Sequence, residues 1–450
     1  MKNKTNKIPK KSWLAACIFL SLIWVTATPS AFAFYQNVQQ EPQDQSFKEY
    51  KGEVIGNDTN KSLVFATVAI EGTNVSTITN ADGEFALKVP SDMADDPLDS
   101  NVLVSFLGYT TKSIPLVQFD ENGNNEIKLR VSVTELPEVN VEVPKDAEAL
   151  VRETLKRKGD NYFDDPTLMT AFYRETIKKR RRNVSLSEAV VNIYKTPYTS
   201  YKKDGVKLYK ARKSTDYSRL DTVALKLQGG PFNALFVDVM KYPEYIFTDE
   251  TLNNYDFSFD RSTRVNDRLI YVVNFKQLES ILDPLYQGKL YIDAENKILT
   301  SAIFSLNITD RDRAARMFVR KKPSNARVWP TEVAYRVDYR EKNGRWYYGY
   351  SNVLMTFKIN WDKRLFNSVY SMTCEMAVTD WKKNKDSDFP RARERMKSSI
   401  ILADEAIGFS DPNFWGEYNI IEPDKSIESA IDKIRRQLQR SGNNGGTSAR

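Results

Sequence analysis

The 450-residue chain contains no histidine, and that absence limits the chemistry open to it. A Ser-His-Asp triad, a Cys-His dyad and a His-bearing catalytic zinc site cannot be built. Carboxylate pairs, lysine, tyrosine and two cysteines remain. Cys374 alternates with Met372 and Met376. That pattern suits a small buried hydrophobe, and no histidine is present to act as its base. Gly229-Gly230 runs into Pro231 and lacks the Lys-Ser/Thr of a phosphate loop. The acidic stretch with Asp92, Asp95, Asp96 and Asp99 lacks the glycine and closing glutamate of a calcium loop. No metal site and no cofactor is expected.

Three clusters could still bind or react. Lys178-Lys179-Arg180-Arg181-Arg182 is the densest charge run. Clustered cations attract anionic head groups of lipopolysaccharide or phospholipid. The plainer reading is a solvated hairpin tip. Asp310-Arg311-Asp312-Arg313 could supply one edge of a carboxylate pair for glycosidic chemistry, or form self-paired charges in a loop. Trp346, Tyr348, Tyr350, Phe357 and Trp361 could line a cleft for a sugar or lipid-like ligand, although an aromatic stripe at strand spacing also builds core. Tyr347 and Tyr348 point to opposite faces of a strand, so at least one is expected outside the core or on a concave wall.

The elements around these clusters read as strands. From Tyr50 to Val143, about seven short β runs alternate with turns, indicating an antiparallel sandwich. Asp82-Gly83 supplies the positive φ of a tight hairpin. Ile70-Glu71-Gly72-Thr73, Thr77 to Phe85, Ser105 to Tyr109 and Leu136-Pro137-Glu138-Val139 resemble the carboxypeptidase-regulatory-like domain. Here Leu63-Val64-Phe65-Ala66 stands where that family usually carries Pro-Leu. The resemblance implies a transthyretin- or immunoglobulin-like sandwich of Bacteroidetes-type envelopes, often found ahead of TonB-dependent receptors. It implies no peptidase activity.

Ala147 to Lys158 has the apolar stripe of a helix. From Thr170 to Asp380 about ten longer strands follow, joined mostly by hairpins; Asn343-Gly344 is the clearest turn. A meander of that length must curl or close to protect its edges. Phe232 to Met240 reads as a short helix lying across the sheet. Gly288 to Asp293 with Ile298-Leu299 resembles the strand pattern of outer-membrane lipoprotein carriers, which are open half-barrels plugged by a helix. With Asp411 to Ile421 (DPNFWGEYNII) at its end, the whole resembles a group of Bacteroidetes envelope proteins. The fold class is thus mainly β: an N-terminal sandwich, then a larger antiparallel curved sheet or half-barrel with a few helices.

The first residues look like a targeting segment. Five lysines precede the apolar Trp13 to Val25, and Ala31-Phe32-Ala33 suits a cleavage site. Leu14-Ala15-Ala16-Cys17 imitates a lipoprotein box, but most of the apolar stretch lies after Cys17. Losing residues 1–33 removes five lysines and no acid, taking the net charge from +7 to +2. The pI of about 9.0 then no longer argues for nucleic-acid binding. The expected organisation is signal 1–33, polar leader 34–47, sandwich 48–143, helical connector 144–165, half-barrel 166–415, C-terminal helix region 416–440 and tail 441–450. The expected function is that of a non-enzymatic exported protein of the periplasm or outer membrane, with possible peripheral membrane association. It would bind a hydrophobic ligand or an envelope partner. A carboxylate-based glycan hydrolase and a purely structural protein are the alternatives.

Overall fold

Alternating apolar positions set the strands, and what covers each face decides which charges become buried. The computed structural model describes residues 47–424 apart from 95–99, 124, 133–145, 181, 216–226, 249, 266–267, 320–321, 323, 363–364, 386–387 and 409–413. The expected cleavage site, the run Val139 to Val143 and the C-terminal helix at 427–438 lie outside the described residues.

Seven strands form the sandwich: β1 (Phe47–Gly56), β2 (Thr67–Ile70), β3 (Ser76–Ile78), β4 (Glu84–Pro90), β5 (Asn101–Ser105), β6 (Lys112–Pro115) and β7 (Asn125–Leu129). They make two sheets, β4-β1-β7 and β3-β2-β5-β6. Val54, Val68, Leu87, Val102 and Val104 are fully buried between them. Two expectations need correcting. The sandwich is not wholly antiparallel, because β7 runs parallel to β1. Asp82-Gly83 does not close a hairpin. Gly83 has φ of 82°, but β3 and β4 belong to different sheets, so the turn carries the chain around a corner.

The helix Ala147–Lys156 follows, with the Asp146 carboxylate accepting from the Ala149 amide at 3.0 Å. The remaining strands are β8 (Thr167–Lys179), β9 (Arg182–Lys195), β10 (Gly205–Thr215), β11 (Tyr255–Phe259), β12 (Thr263–Val265), β13 (Arg268–Gln277), β14 (Tyr286–Asp293), β15 (Ile298–Leu306), β16 (Ala326–Lys342), β17 (Arg345–Trp361), β18 (Ser368–Lys383) and β19 (Ile407–Gly408). They form one sheet in the order β11-β13-β14-β15-β16-β17-β18-β8-β9-β10-β19, with β12 on β13. The path is open, with β11 and β19 at its ends. Asn343 and Gly344, at φ of 53° and 75°, make the expected turn between β16 and β17.

β10 has no counterpart in the sequence reading. Its Lys207, Lys210, Arg212 and Lys213 mask the alternation. β19 pairs parallel to β10, so the sheet is not antiparallel throughout. The stretch from Asp310 to Arg313 is not a loop. Asp310 caps the helix Arg311–Phe318 by accepting from the Asp312 and Arg313 amides.

Residues from β8, β9, β13 to β18 and the segment Phe232–Phe247 fall in a single hydrophobic cluster. One segment can touch that many strands only if the sheet curls around it. The other face of β8, β9, β17 and β18 is also covered. Phe172, Val190, Tyr350 and Ala377 pack there with Ile78 of the sandwich and with Trp415 and Ile421. The described residues therefore make one compact unit. The residues 414–424 run as an irregular strap between the two folds. Thr77 Oγ1 donates to the Ile420 carbonyl at 2.8 Å, Asn80 to the Pro423 carbonyl at 3.1 Å, and Lys88 N to Asn419 Oδ1 at 2.7 Å. No described helix is long and apolar enough to cross a membrane.

Candidate functional site

The inner face of the sheet is occupied by the chain itself. Gly229 and Gly230, both at positive φ, turn the backbone inward ahead of the helical turn Phe232–Leu235. From there the segment continues to Phe247 and fills the concavity. A buried ion cluster holds it. Lys195 Nζ donates to Asp204 Oδ2 at 2.8 Å and to Asp238 Oδ2 at 2.6 Å, and all three side chains are essentially without solvent contact. Tyr198 and Tyr339 donate to Asp238 at 3.0 and 2.9 Å; Tyr242 donates to Asp204 at 2.7 Å. Burial alone would lower the Lys195 ammonium. The two carboxylates outweigh it and raise the group above its ordinary value. Asp204 and Asp238 thus face a lysine in a sealed interior, where no substrate reaches them.

Two more inner-face groups titrate unusually. Burial pushes the Cys374 thiol up to about 12, which keeps it protonated and inert. Burial also pushes the Glu175 carboxyl up to about 7, against hydrogen bonds that include one from Tyr173 at 2.9 Å. Between its ordinary range and about 7, the folded state keeps a proton that the unfolded state has lost. Stability from this group therefore falls as pH rises through that window and levels off above it. Glu175→Gln is expected to stabilise the protein by up to roughly 3 kcal/mol at pH 8. The gain should shrink towards pH 5. Urea denaturation at the two pH values checks this; an equal effect at both would contradict it.

The aromatic residues singled out in the sequence do not share one open wall. Tyr348 is buried on the inner face, its hydroxyl 2.6 Å from Ser351 Oγ. Phe357 lies edge-on to Phe318 at 6.0 Å, and Trp361 is buried in the same cluster. Tyr350 is buried on the other face against Phe65, ring centroids 5.0 Å apart. Tyr347 and Tyr348 are both buried, since both faces of the sheet are covered. Of the five, Trp346 borders a cleft on the outer side of the sheet. Lys178, Lys179, Arg180 and Arg182 sit at the β8–β9 hairpin tip, while Arg181 lies outside the described residues.

That cleft, of about 510 Å³, lies between the β2–β3 side of the sandwich and the outer face of β13, β15 and β16. Its size is that of a small-molecule site. Phe65, Phe106, Leu103, Ile270 and Trp346 give it apolar walls. Alternation along β16 points Arg336, Asp338 and Arg340 at it, while Val337 and Tyr339 face the core. Arg336 donates to Asp338 at 2.7 Å and lies 5.8 and 5.7 Å from the ring centroids of Phe65 and Phe106. Arg268 pairs with Glu341 at 2.9 Å.

Arg340 differs from both. Its Nη1 donates to Ser76 Oγ at 2.7 Å and to the Val378 carbonyl at 2.9 Å. Its Nη2 is buried and has no hydrogen-bond partner, as is Oδ1 of Asn74, another residue of the cleft. Burial holds the Arg340 guanidinium below its ordinary value. A donor and an acceptor left over in one cleft wall are what a polar ligand group would satisfy. Reading the sequence missed this site. Its signal, the alternation of Arg336, Asp338 and Arg340, resembles any solvated strand face until the sandwich covers it. Among the described residues, no group of three or more Cys, Asp or Glu side chains is arranged to hold a metal ion.

Residues 50–141 match the CarboxypepD_reg-like domain family. The regulatory-like domain, expected from the residues at 70–73, 77–85 and 105–109, thus forms one wall of the cleft. No curated protein matches the chain. Among solved structures, a LolA superfamily protein from Nitrosomonas europaea aligns at 10% identity and a TM-score of 0.24, covering 55% of this chain and 98% of that one. A DUF1329 family protein from Desulfovibrio piger aligns at 9% identity and a TM-score of 0.25, covering 56% and 100%. At those scores neither fold nor function transfers.

Proposed function

We propose that this chain is a non-catalytic exported protein of the cell envelope whose binding site is the cleft between the regulatory-like domain and the curled sheet. Export is supported by the basic and apolar leader ending at Ala31-Phe32-Ala33. Binding without bond-breaking is supported by the cleft's acids. Asp338 and Glu341 are each engaged by an arginine, Glu71 accepts from the Asn101 amide group at 3.0 Å, and no histidine is available. The observation that carries the reading is Arg340, a buried cation whose Nη2 has no hydrogen-bond partner and on which Asp338 acts without a direct bond, set in a wall of aromatic and aliphatic groups. The ligand such a wall recognises is an amphiphile: an apolar stem with one anionic head.

Dodecyl phosphate and dodecanol, titrated calorimetrically against the purified chain, test this. The phosphate is expected to bind at least about tenfold more tightly, the worth of one charge-assisted hydrogen bond. Arg340→Met should erase that preference, whereas Ser76→Ala, which keeps the cation, should not. Equal binding of both compounds would remove the reading.

A further inference from the structure

Exposed large apolar side chains elsewhere among the described residues, such as Tyr201 and Leu282, stand singly, whereas one end of the large sheet carries two in succession. Leu365 and Phe366, at the β17–β18 tip, are 97% and 79% exposed. Two consecutive large apolar residues held in water at a hairpin tip gain nothing for the fold. The neighbouring tip belongs to β8 and β9. Antiparallel pairing of β18 with β8 sets Tyr370 opposite Lys179, and the Arg180 amide donates to the Val369 carbonyl at 2.9 Å. The two tips are therefore side by side at one rim. Arg180 and Arg182 are exposed there. Arg327 and Lys358, exposed near the ends of β16 and β17, continue the positive character along the same edge; Asp362 is an acid among them.

We infer that this rim docks on the surface of an anionic lipid membrane. Leu365 and Phe366 would enter the boundary between head groups and acyl chains, and the arginines would meet lipid phosphates. The arrangement fits a membrane surface in two ways. The apolar pair projects from a tip instead of lining a groove, so a flat, yielding apolar phase can receive it. The cations beside it match the negative potential of anionic head groups and lose their pull in salt. The binding cleft lies on the outer face of the sheet, away from this rim, so the two sites can be tested separately.

Sedimentation with vesicles decides the matter. The full chain is expected to bind vesicles of phosphatidylcholine with phosphatidylglycerol at least tenfold better than phosphatidylcholine alone, and to lose most of that preference in 0.5 M salt. Leu365→Ser with Phe366→Ser should lower binding tenfold or more. Arg180→Glu with Arg182→Glu should remove the preference for the anionic lipid. Both pairs of positions are exposed, so unchanged thermal unfolding is expected for each variant. Dodecyl phosphate binding should also be unchanged. Binding equal for the two vesicle types would overturn the inference. So would binding that survives both variants, which would assign it to the apolar Trp13 to Val25, and absence of vesicle binding, which would leave the rim to a protein partner.

Discussion

Lys195→Met is expected to destabilise the protein by about 3–5 kcal/mol, the cost of removing one member of a buried ion group. The substitution leaves Asp204 and Asp238 buried without the ammonium they share; tyrosine hydroxyls, the Thr196 backbone and side chain and the Lys241 amide still donate to them, and the Lys241 ammonium acts on them only without a direct bond. It also removes the tie of the segment Phe232–Phe247 to Lys195 of β9, leaving the contacts of Asp238 and Met240 with Tyr339 of β16. Urea denaturation followed by tyrosine and tryptophan fluorescence measures the effect. A second arm separates charge from packing. Lys195→Met combined with Asp204→Asn and Asp238→Asn should recover much of the loss, because no uncompensated charge is then buried. A single variant that cost under about 1 kcal/mol would mean the cluster is hydrated after all.

Arg174→Met is the second large effect, again about 3–5 kcal/mol by the same argument. Arg174 is buried on the outer face of β8, where it holds Glu188 at 2.7 Å, Glu375 at 3.3 Å and the Ile421 carbonyl at 2.7 Å. Burial would raise the Glu188 carboxyl; Arg174 and Arg212 outweigh it and hold the group below its ordinary range. Loss of Arg174 strips Glu188 of one of two arginines and releases the strap at Ile421. Limited proteolysis should then cut within 414–424 sooner than in the parent chain. Arg212→Met, which leaves Arg174 on both glutamates, should cost less. Equal proteolysis of parent and Arg174→Met would show that the strap does not depend on this contact.

Much of the fold was legible in the residues, because periodicity reports which face of a strand is apolar. The sandwich, the connector helix and the long hairpins from β13 to β18 follow from that alternation. The pattern fails where both faces are covered. In β8 the run Ala171 to Ile177 is buried throughout, yet it carries Arg174 and Glu175, one on each face. Nothing local to the strand says that partners from β9, β18 and the strap will neutralise one of them. β10 was hidden for the same reason, since its Arg212 lies under Trp415, 4.8 Å from the ring centroid. The candidate site was least legible of all. Arg340 gains its character from Ser76, which is 264 residues away in the chain. Of the aromatic stripe chosen from sequence, only Trp346 borders the cleft, because the chain itself covers the others: the inner-face segment at Tyr348, Phe318 at Phe357 and Phe65 of the sandwich at Tyr350.

The strap at 414–424 has a bearing on the order of assembly. Thr77 meets Ile420 across 343 positions of sequence. Contacts of such range are formed late, since the loop they close must be ordered first. A growing chain offers the sandwich and most of the sheet strands well before the piece that clasps them is made. The two folds are therefore clasped only after residues 414–424 have been made, and a chain stopped short of Phe414 would hold both halves without the clasp.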